Sequence, residues 1–376
     1  MHIEQRIWTT ERTWETLRSD HANGSSYRIV LVFGNSRLVS APGVYQEIRV
    51  MYPRADIIIS SASGEILNSK ITENTLALTA IEFENAEIGI FNPSEHSTDL
   101  SNDLKNVIHH RGTKKEIAGL LIFNAGHPIQ LNSLIEELGK NPSANIPYVV
   151  INASAHNNQP GGILGINEQP RPDRIAIIAL YGEGITMTNR QESQNAIINN
   201  TYEITNAEGQ SIIELNGQPA LDIFRKHIPH NVNREFGNAL LPSLIIKQEG
   251  RLISKAQLCS LNENERTLTL MQEVEKGMTL SIFQTDIQSM LHRQNFSENL
   301  KGTRGECPEL AFFHSSLQRR LILGPYAQKE LDLISEQLGP TAAVTGLFSK
   351  YEDPESEIHN DENDLNCSIT TISEKK

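Results

Sequence analysis

Apolar runs and helical spacings alternate along this chain, and their order predicts a mixed architecture. Tyr27 to Phe33 is rich in β-branched and aromatic residues and ends at the turn cluster Gly34-Asn35-Ser36, the pattern of a buried strand. It is the one clear strand in the first 40 or so residues. Val44, Ile48, Met51 and Tyr52 follow at i, i+4, i+7 and i+8, one face of a helix that Pro53 stops. Ala55 to Ser61 reads as a second buried strand. Strand, helix, strand in this order predicts a parallel pair joined by a crossover helix.

The same order recurs beyond the polar stretch Asn92 to Lys115. Ala118 to Asn124 is a strand, and Ala125-Gly126-His127-Pro128 a turn. Leu131, Leu134, Ile135 and Leu138 form a helical face closed by Gly139, and Pro147 to Asn152 is again a strand. Asn157 to Pro172, with Gly161 to Gly165 inside it, reads as a Gly/Pro-rich flexible loop, and Arg174 to Tyr181 as a strand. Gln191 to Thr201 is polar and Asn-rich, which places a domain boundary there and predicts two domains, 1–195 and 196–376. In the second half, Asn216 to Pro219 is a structural turn leading into a helix over Ala220 to His227. Thr267 to Met271, Thr279 to Phe283 and Glu309 to Phe313 read as strands, and Gln328 to Leu338 as a helix. No repeat of 20–50 residues is visible. The fold class expected is α/β: two mixed-sheet domains with helices packed on the sheets.

Composition narrows the classes of function. The 376 residues carry 33 Lys+Arg against 46 Asp+Glu, a net charge of −13, which argues against a nucleic-acid binder. Seven of the acids lie between Glu352 and Asp364, a solvated stretch that would suit a basic partner. Three separated cysteines make neither a zinc ribbon nor a disulfide framework, and Cys259 in a strand-like run reads as a buried thiol. The N-terminus has no apolar signal region and no apolar run approaches ~20 residues, so the expectation is a soluble cytoplasmic protein without a membrane span. GxSxG, HExxH and Walker motifs do not occur, so no enzyme is expected.

Ligands of open α/β sheets bind outside the carboxyl ends of strands. Ser60, Ser61, Ser63 and Glu65 stand at such an end and could hold a polar ligand, or else form an ordinary turn with a solvated carboxylate. His127 and His156 follow two strands; if these are neighbours, both imidazoles reach one crevice as candidate metal ligands. His314 follows a third strand and is the next candidate, whereas His109-His110 read as solvated. Arg319-Arg320 precede Leu321-Ile322-Leu323. Strand alternation there would turn one guanidinium toward a ligand carboxylate, the alternative being a structural ion pair with Glu352 or a helix end.

Several of these segments together resemble the FIST proteins, signalling modules with an N-terminal and a C-terminal FIST domain. Ile59-Ser60-Ser61-Ala62-Ser63-Gly64-Glu65-Ile66 is similar to the family's G-C-S-T-A-G-E-I strand end. Asn206 to Gly209, followed by Glu214 to Asp222, is similar to its S-E-G-N and E-L-D-G-x-P-A-L-D. Asn238 to Pro242 resembles A-L-L-F-P, Arg319 to Gly324 resembles C-x-G-R-R-L-x-L-G, and Gly346 to Glu352 resembles G-F-Y-S-Y-G-E. Asn366-Cys367-Ser368 stands at the family's late N-x-T. The likeness runs from about Tyr27 to Ser373. It departs where Ser316 replaces a cysteine, where Gln318 replaces a glycine, and where Asn152 to His156 stands for a Gly-rich loop.

The resemblance implies a stand-alone bacterial sensor that binds a small ligand and regulates a separate partner. The partner would be a histidine kinase of a two-component system, or a diguanylate cyclase or phosphodiesterase. Its nitric-oxide-sensing NosP-like branch implies haem, with His127, His156 or His314 as the iron ligand. The polar ligand set would be Ser60, Ser61, Ser63, Glu65, Arg319, Arg320 and Glu352. An amino-acid or small-metabolite sensor on the same fold, and a ligand-free partner-binding module, are the alternatives.

Overall fold

A computed structural model describes residues 1–11, 13–20, 26–92, 107, 115–125, 131, 134–136, 138, 146–154, 162–192, 197–227, 243–248, 251–256, 258–285, 291, 300, 307–349 and 367–374. Its central feature is one supersecondary unit used three times. In the first unit, β3 (Ile29–Gly34) runs parallel to β4 (Asp56–Ser61). On the far side of β3 lies antiparallel β7 (Leu76–Glu82), and β1 (His2–Trp8) pairs antiparallel with β7. In the second, β9 (Ile117–Asn124) is parallel to β10 (Tyr148–Asn152) and antiparallel to β12 (Ile175–Tyr181), which pairs with β8 (Glu87–Phe91). In the third, β22 (Leu310–Ser316) is parallel to β23 (Ala343–Ser349) and antiparallel to β24 (Cys367–Glu374), which pairs with β13 (Ile185–Glu192).

Each parallel pair is joined by helical residues, as a crossover requires. They are α1 (Ser36–Val39) and α2 (Val44–Met51) in the first unit. Leu131, Leu134 to Glu136 and Leu138 are helical in the second. In the third unit they follow as α4 (Leu317–Leu323) and α5 (Tyr326–Leu338). α3 (Ala220–Arg225) lies elsewhere. Asn35 caps α1 by accepting from the Leu38 N–H at 2.9 Å, so the strand-end turn also starts the helix. Ile48, Leu134 and Leu331 each face their own sheet, in three separate outer clusters. The opposite faces of all three sheets share a single core. Phe33, Phe123 and Phe312 meet there, with centroid separations of 5.6, 6.3 and 6.5 Å.

The units also exchange edges. β11 (Leu164–Ile166), from the second unit, extends the first sheet beside β4. β5 (Glu65–Leu67), from the first, pairs with β23 of the third sheet and carries β6 (Lys70–Thr72). Sheets therefore cross residue 195. β2 (Trp14–Ser19) closes the other edge of the first sheet.

Between β13 and β22 the chain builds an antiparallel module with its own core around Ile204, Leu215, Phe224 and Leu280. Its strands are β14 (Ile197–Glu208), β15 (Ser211–Leu215), β16 (Gln218–Pro219), β17 (Ser243–Gln248), β18 (Arg251–Ala256), β19 (Leu258–Asn262), β20 (Thr267–Leu270) and β21 (Thr279–Thr285).

The expected α/β class of mixed sheets carrying helices is what the chain forms, and four local readings change. β1 and β2 add strands to the first 40 residues. Their alternation is masked because Glu4 and Gln5 are buried polar residues, Gln5 donating to the Val344 carbonyl at 2.9 Å. The Asn157 to Pro172 stretch contains β11, a strand short enough to vanish among glycines. Arg319 to Leu323 is helical, not strand-like, because Ser316 accepts from the Arg319 N–H and caps a helix. Cys259 lies on the edge strand β19 and is exposed. The acidic Tyr351 to Asp364 stretch and His109-His110 lie outside the described residues. No helix among the described residues is long and apolar enough to cross a membrane.

Truncating an aromatic at the junction of three sheets leaves a cavity that none of them fills alone. Phe33→Ala should lower unfolding stability by about 3–5 kcal/mol in denaturant titration. A loss below about 1 kcal/mol would show that the sheets hold together without that contact.

Candidate functional site

The carboxyl ends of the three parallel pairs converge. Ala62 N–H donates to the Gly34 carbonyl at 2.7 Å, and Ala153 N–H to the Asn124 carbonyl at 2.8 Å, so each pair closes alike. The segments leaving the strands then bond to one another. Ser154 N–H donates to the Ser61 carbonyl at 2.9 Å, and Ser63 N–H to the Phe348 carbonyl at 2.8 Å. Second unit is thereby tied to first, and first to third. The Ser61 hydroxyl donates to the Ser154 carbonyl at 2.8 Å and accepts from the Ile163 N–H at 2.9 Å, while the Ser63 and Ser154 hydroxyls bond to each other.

Below this network the inner faces carry a layer of matched positions. Gly34, Asn124 and Ser315 are the residues opposite the first residue of β7, β12 and β24. The residues one step earlier are Phe33, Phe123 and His314. Two aromatic hydrocarbons and one imidazole thus occupy equivalent places. His314 is half-buried by surface yet enclosed deeply enough that desolvation lowers its pKa from 6.5 to about 4. It is a neutral ring at pH 7, and its Nε2 lies 2.7 Å from the Ser349 hydroxyl.

Glu65 belongs to the same face. Register aligns His314 with Leu347, Leu347 with Glu65, and Glu65 with Thr72, a single row across the third sheet. At ~4.8 Å per strand, His314 and Glu65 stand roughly 10 Å apart. Glu65 is fully buried; Thr75 donates to its Oε2 at 3.0 Å, and among the described residues Oε1 has no hydrogen-bond partner. Burial raises its pKa from 4.5 to about 8, outweighing the opposing bond from the Thr75 hydroxyl, the charge of Arg320 and the backbone N–H groups of Thr75 and Glu65. Glu65 therefore carries a proton at neutral pH. Ser60 is also buried and pairs in register with Phe33, on the inner face.

The arginines separate. Arg319 is fully buried and bonds Glu330 of α5 through Nε at 2.9 Å, so it locks α4 to α5. Arg320 donates to the Ser63 carbonyl at 2.8 Å, pairs with Glu73, and stacks over Phe348 at 4.9 Å. It holds the Ser63-Gly64 turn. Gly64, at φ +132°, presses directly on that guanidinium, and a Cβ there would strike it. His127, His156 and Glu352 lie outside the described residues. The strands before His127 and His156, β9 and β10, are neighbours. Among the described residues no cluster of His, Cys, Asp and Glu could hold a metal ion.

Ser154, Thr75 and Ser349 are the residues that sequence reasoning missed. Ser154 carries a weak signal: it follows the predicted strand end at Asn152 by the offset that separates Ser63 from Ser61.

A model of the FIST N domain matches residues 28–218, and one of the FIST C domain matches residues 220–352. The chain belongs to the FIST family. FIST domains are signalling-associated modules that sense small ligands and are not catalytic. None of the curated proteins compared matches this chain. In this FIST protein the two matched segments share the third sheet, since β5 comes from the first and β23 from the second.

The protonated state of Glu65 has a thermodynamic consequence. In the pH range from 4.5 to about 8 the folded chain holds a proton on Glu65 that the unfolded chain has released. Its contribution to stability is complete at low pH and falls as pH rises through that window. Glu65→Gln, which mimics the protonated acid, should gain on the native chain by several kcal/mol, on the order of 3, between pH 5 and 8 in parallel denaturant titrations. Parallel stability curves would show that Glu65 is ionised when folded.

Proposed function

We propose that this FIST protein is a sensor that takes a small polar ligand at the junction of the three sheets. It then passes its state to a separate signalling partner such as a histidine kinase or a diguanylate cyclase or phosphodiesterase. The observation that carries this reading is the fully buried Glu65 with one oxygen unpartnered among the described residues, set on the inner face with Ser60 and His314. A buried acceptor without a partner costs stability unless something else satisfies it. Ser61, Ser63 and Ser154 tie the three units at that point, so a ligand there touches the contacts between them. The chain segments divided near residue 195 would then respond as one body.

A thermal-shift screen of small metabolites tests it. A ligand at a hundred times its Kd should stabilise the chain by about 2.7 kcal/mol, and Glu65→Gln should reduce the shift. A screen without a single shift would turn the reading toward a ligand-free partner-binding module.

Haem is a second reading, favoured by one feature. His314 is a neutral imidazole whose Nε2 is engaged by Ser349, the kind of outer support an iron-ligating histidine uses, leaving Nδ1 for the metal. Bound haem would supply an iron able to take nitric oxide. His127 and His156 are the other candidate ligands. Protein purified with haem supplied should then show a Soret band that nitric oxide shifts and His314→Ala alters. A colourless protein would remove this reading and leave the polar-ligand one standing.

A further inference from the structure

The sensor reading leaves the chemistry of the ligand open, and Glu65 restricts it. We infer that the site takes a small cation, an ammonium, amidinium or guanidinium head on a short body, seated on the Glu65 carboxyl group. This rests on the sensory reading of the same site.

Three observations carry it. The carboxyl group is fully buried, with Thr75 on Oε2 and, among the described residues, nothing on Oε1, so it offers one unused acceptor. Among the described residues no cation bonds it, and the charge of Arg320 does not offset its burial. Arg320 is engaged by the Ser63 carbonyl, Glu73 and the Phe348 ring. The described residues in register with it or bonded to it are uncharged: Thr72 and Thr75 are hydroxyls, Leu347 is apolar, and His314 on β22 is neutral.

A buried carboxylate without a counter-charge is expensive, so the site holds one positive charge in either state. Without ligand that charge is a proton, consistent with the pKa of about 8. With ligand it is the cationic head, which donates hydrogen bonds to the carboxylate while the acid proton leaves to solvent. An anionic ligand would meet Glu65 with no cation to receive it, and a neutral one would leave the acid protonated.

The test is calorimetric titration of the full chain at pH 7 in two buffers of different ionisation enthalpy. Propylamine, putrescine, agmatine and benzamidine form the cationic arm. Propionate and succinate form the anionic arm, and propionamide the neutral one. At least one cation should bind with release of about 0.9 proton, as a group of pKa about 8 requires at pH 7, and with almost none at pH 9. Glu65→Gln should weaken that binding about a hundredfold or more and abolish the release. The proton count on the native chain decides the matter even if the variant does not fold. Binding confined to the anionic or neutral arm, or cation binding that releases no proton, overturns the cation assignment and leaves the sensor reading intact. Silence in every arm overturns the assignment alone when the metabolite screen succeeds, and both readings when it too is silent.

Discussion

Three mixed sheets turn their inner faces onto one another, and the rest of the molecule depends on that shared core. No sheet here can bury both faces by itself. Each covers its outer face with its own crossover helices, around Ile48, Leu134 and Leu331, and must find the other two sheets for its inner face. Phe33, Phe123 and Phe312 mark where the three meet. The edge exchanges follow from the same need. β11 and β5 leave their own units to lengthen the neighbouring sheets, which covers an edge and ties the units at once.

The site is a break in that repetition. Where two units place Phe33 and Phe123, the third places His314; beside it Ser349 stands where the other two have Ala62 and Ala153. The third sheet also carries Glu65, borrowed from the first unit with β5. Polar groups in a low-dielectric layer shift toward their neutral forms, which is why the imidazole there is unprotonated and the carboxyl protonated. Arg319 shows the other solution to the same problem. Equally buried, it has the Glu330 carboxylate held against it. Burial with a partner makes a lock, and burial without one makes a candidate site.

The first two parallel strand pairs and their crossover helices were legible because each element carries its own period: β-branched runs for β3, β4, β9 and β10, and i, i+4, i+7 spacing for the Ile48 face. The tripling was not legible. The antiparallel module sits between β13 and β22, so the third unit has no fixed spacing from the first two. Of the site, Ser60, Ser61, Ser63 and Glu65 stood out as a strand end. Arg319 and Arg320 looked alike, since nothing in two adjacent guanidinium groups tells which one finds Glu330 and which one Ser63 and Phe348.

By itself the sequence determined the strands and helices of the first two units, the mixed class of the sheets and the family resemblance, because periodicity and short motifs are local. The strand ends at Ser61 and Asn152 are written in consecutive residues. Only the tertiary structure decided which strand ends meet, that Glu65 lies in a sheet with β23, and that its Oε1 is left without a partner among the described residues. Those outcomes depend on contacts between residues hundreds of positions apart, and burial, which sets the charge of Glu65 and His314, exists only once the three sheets have closed.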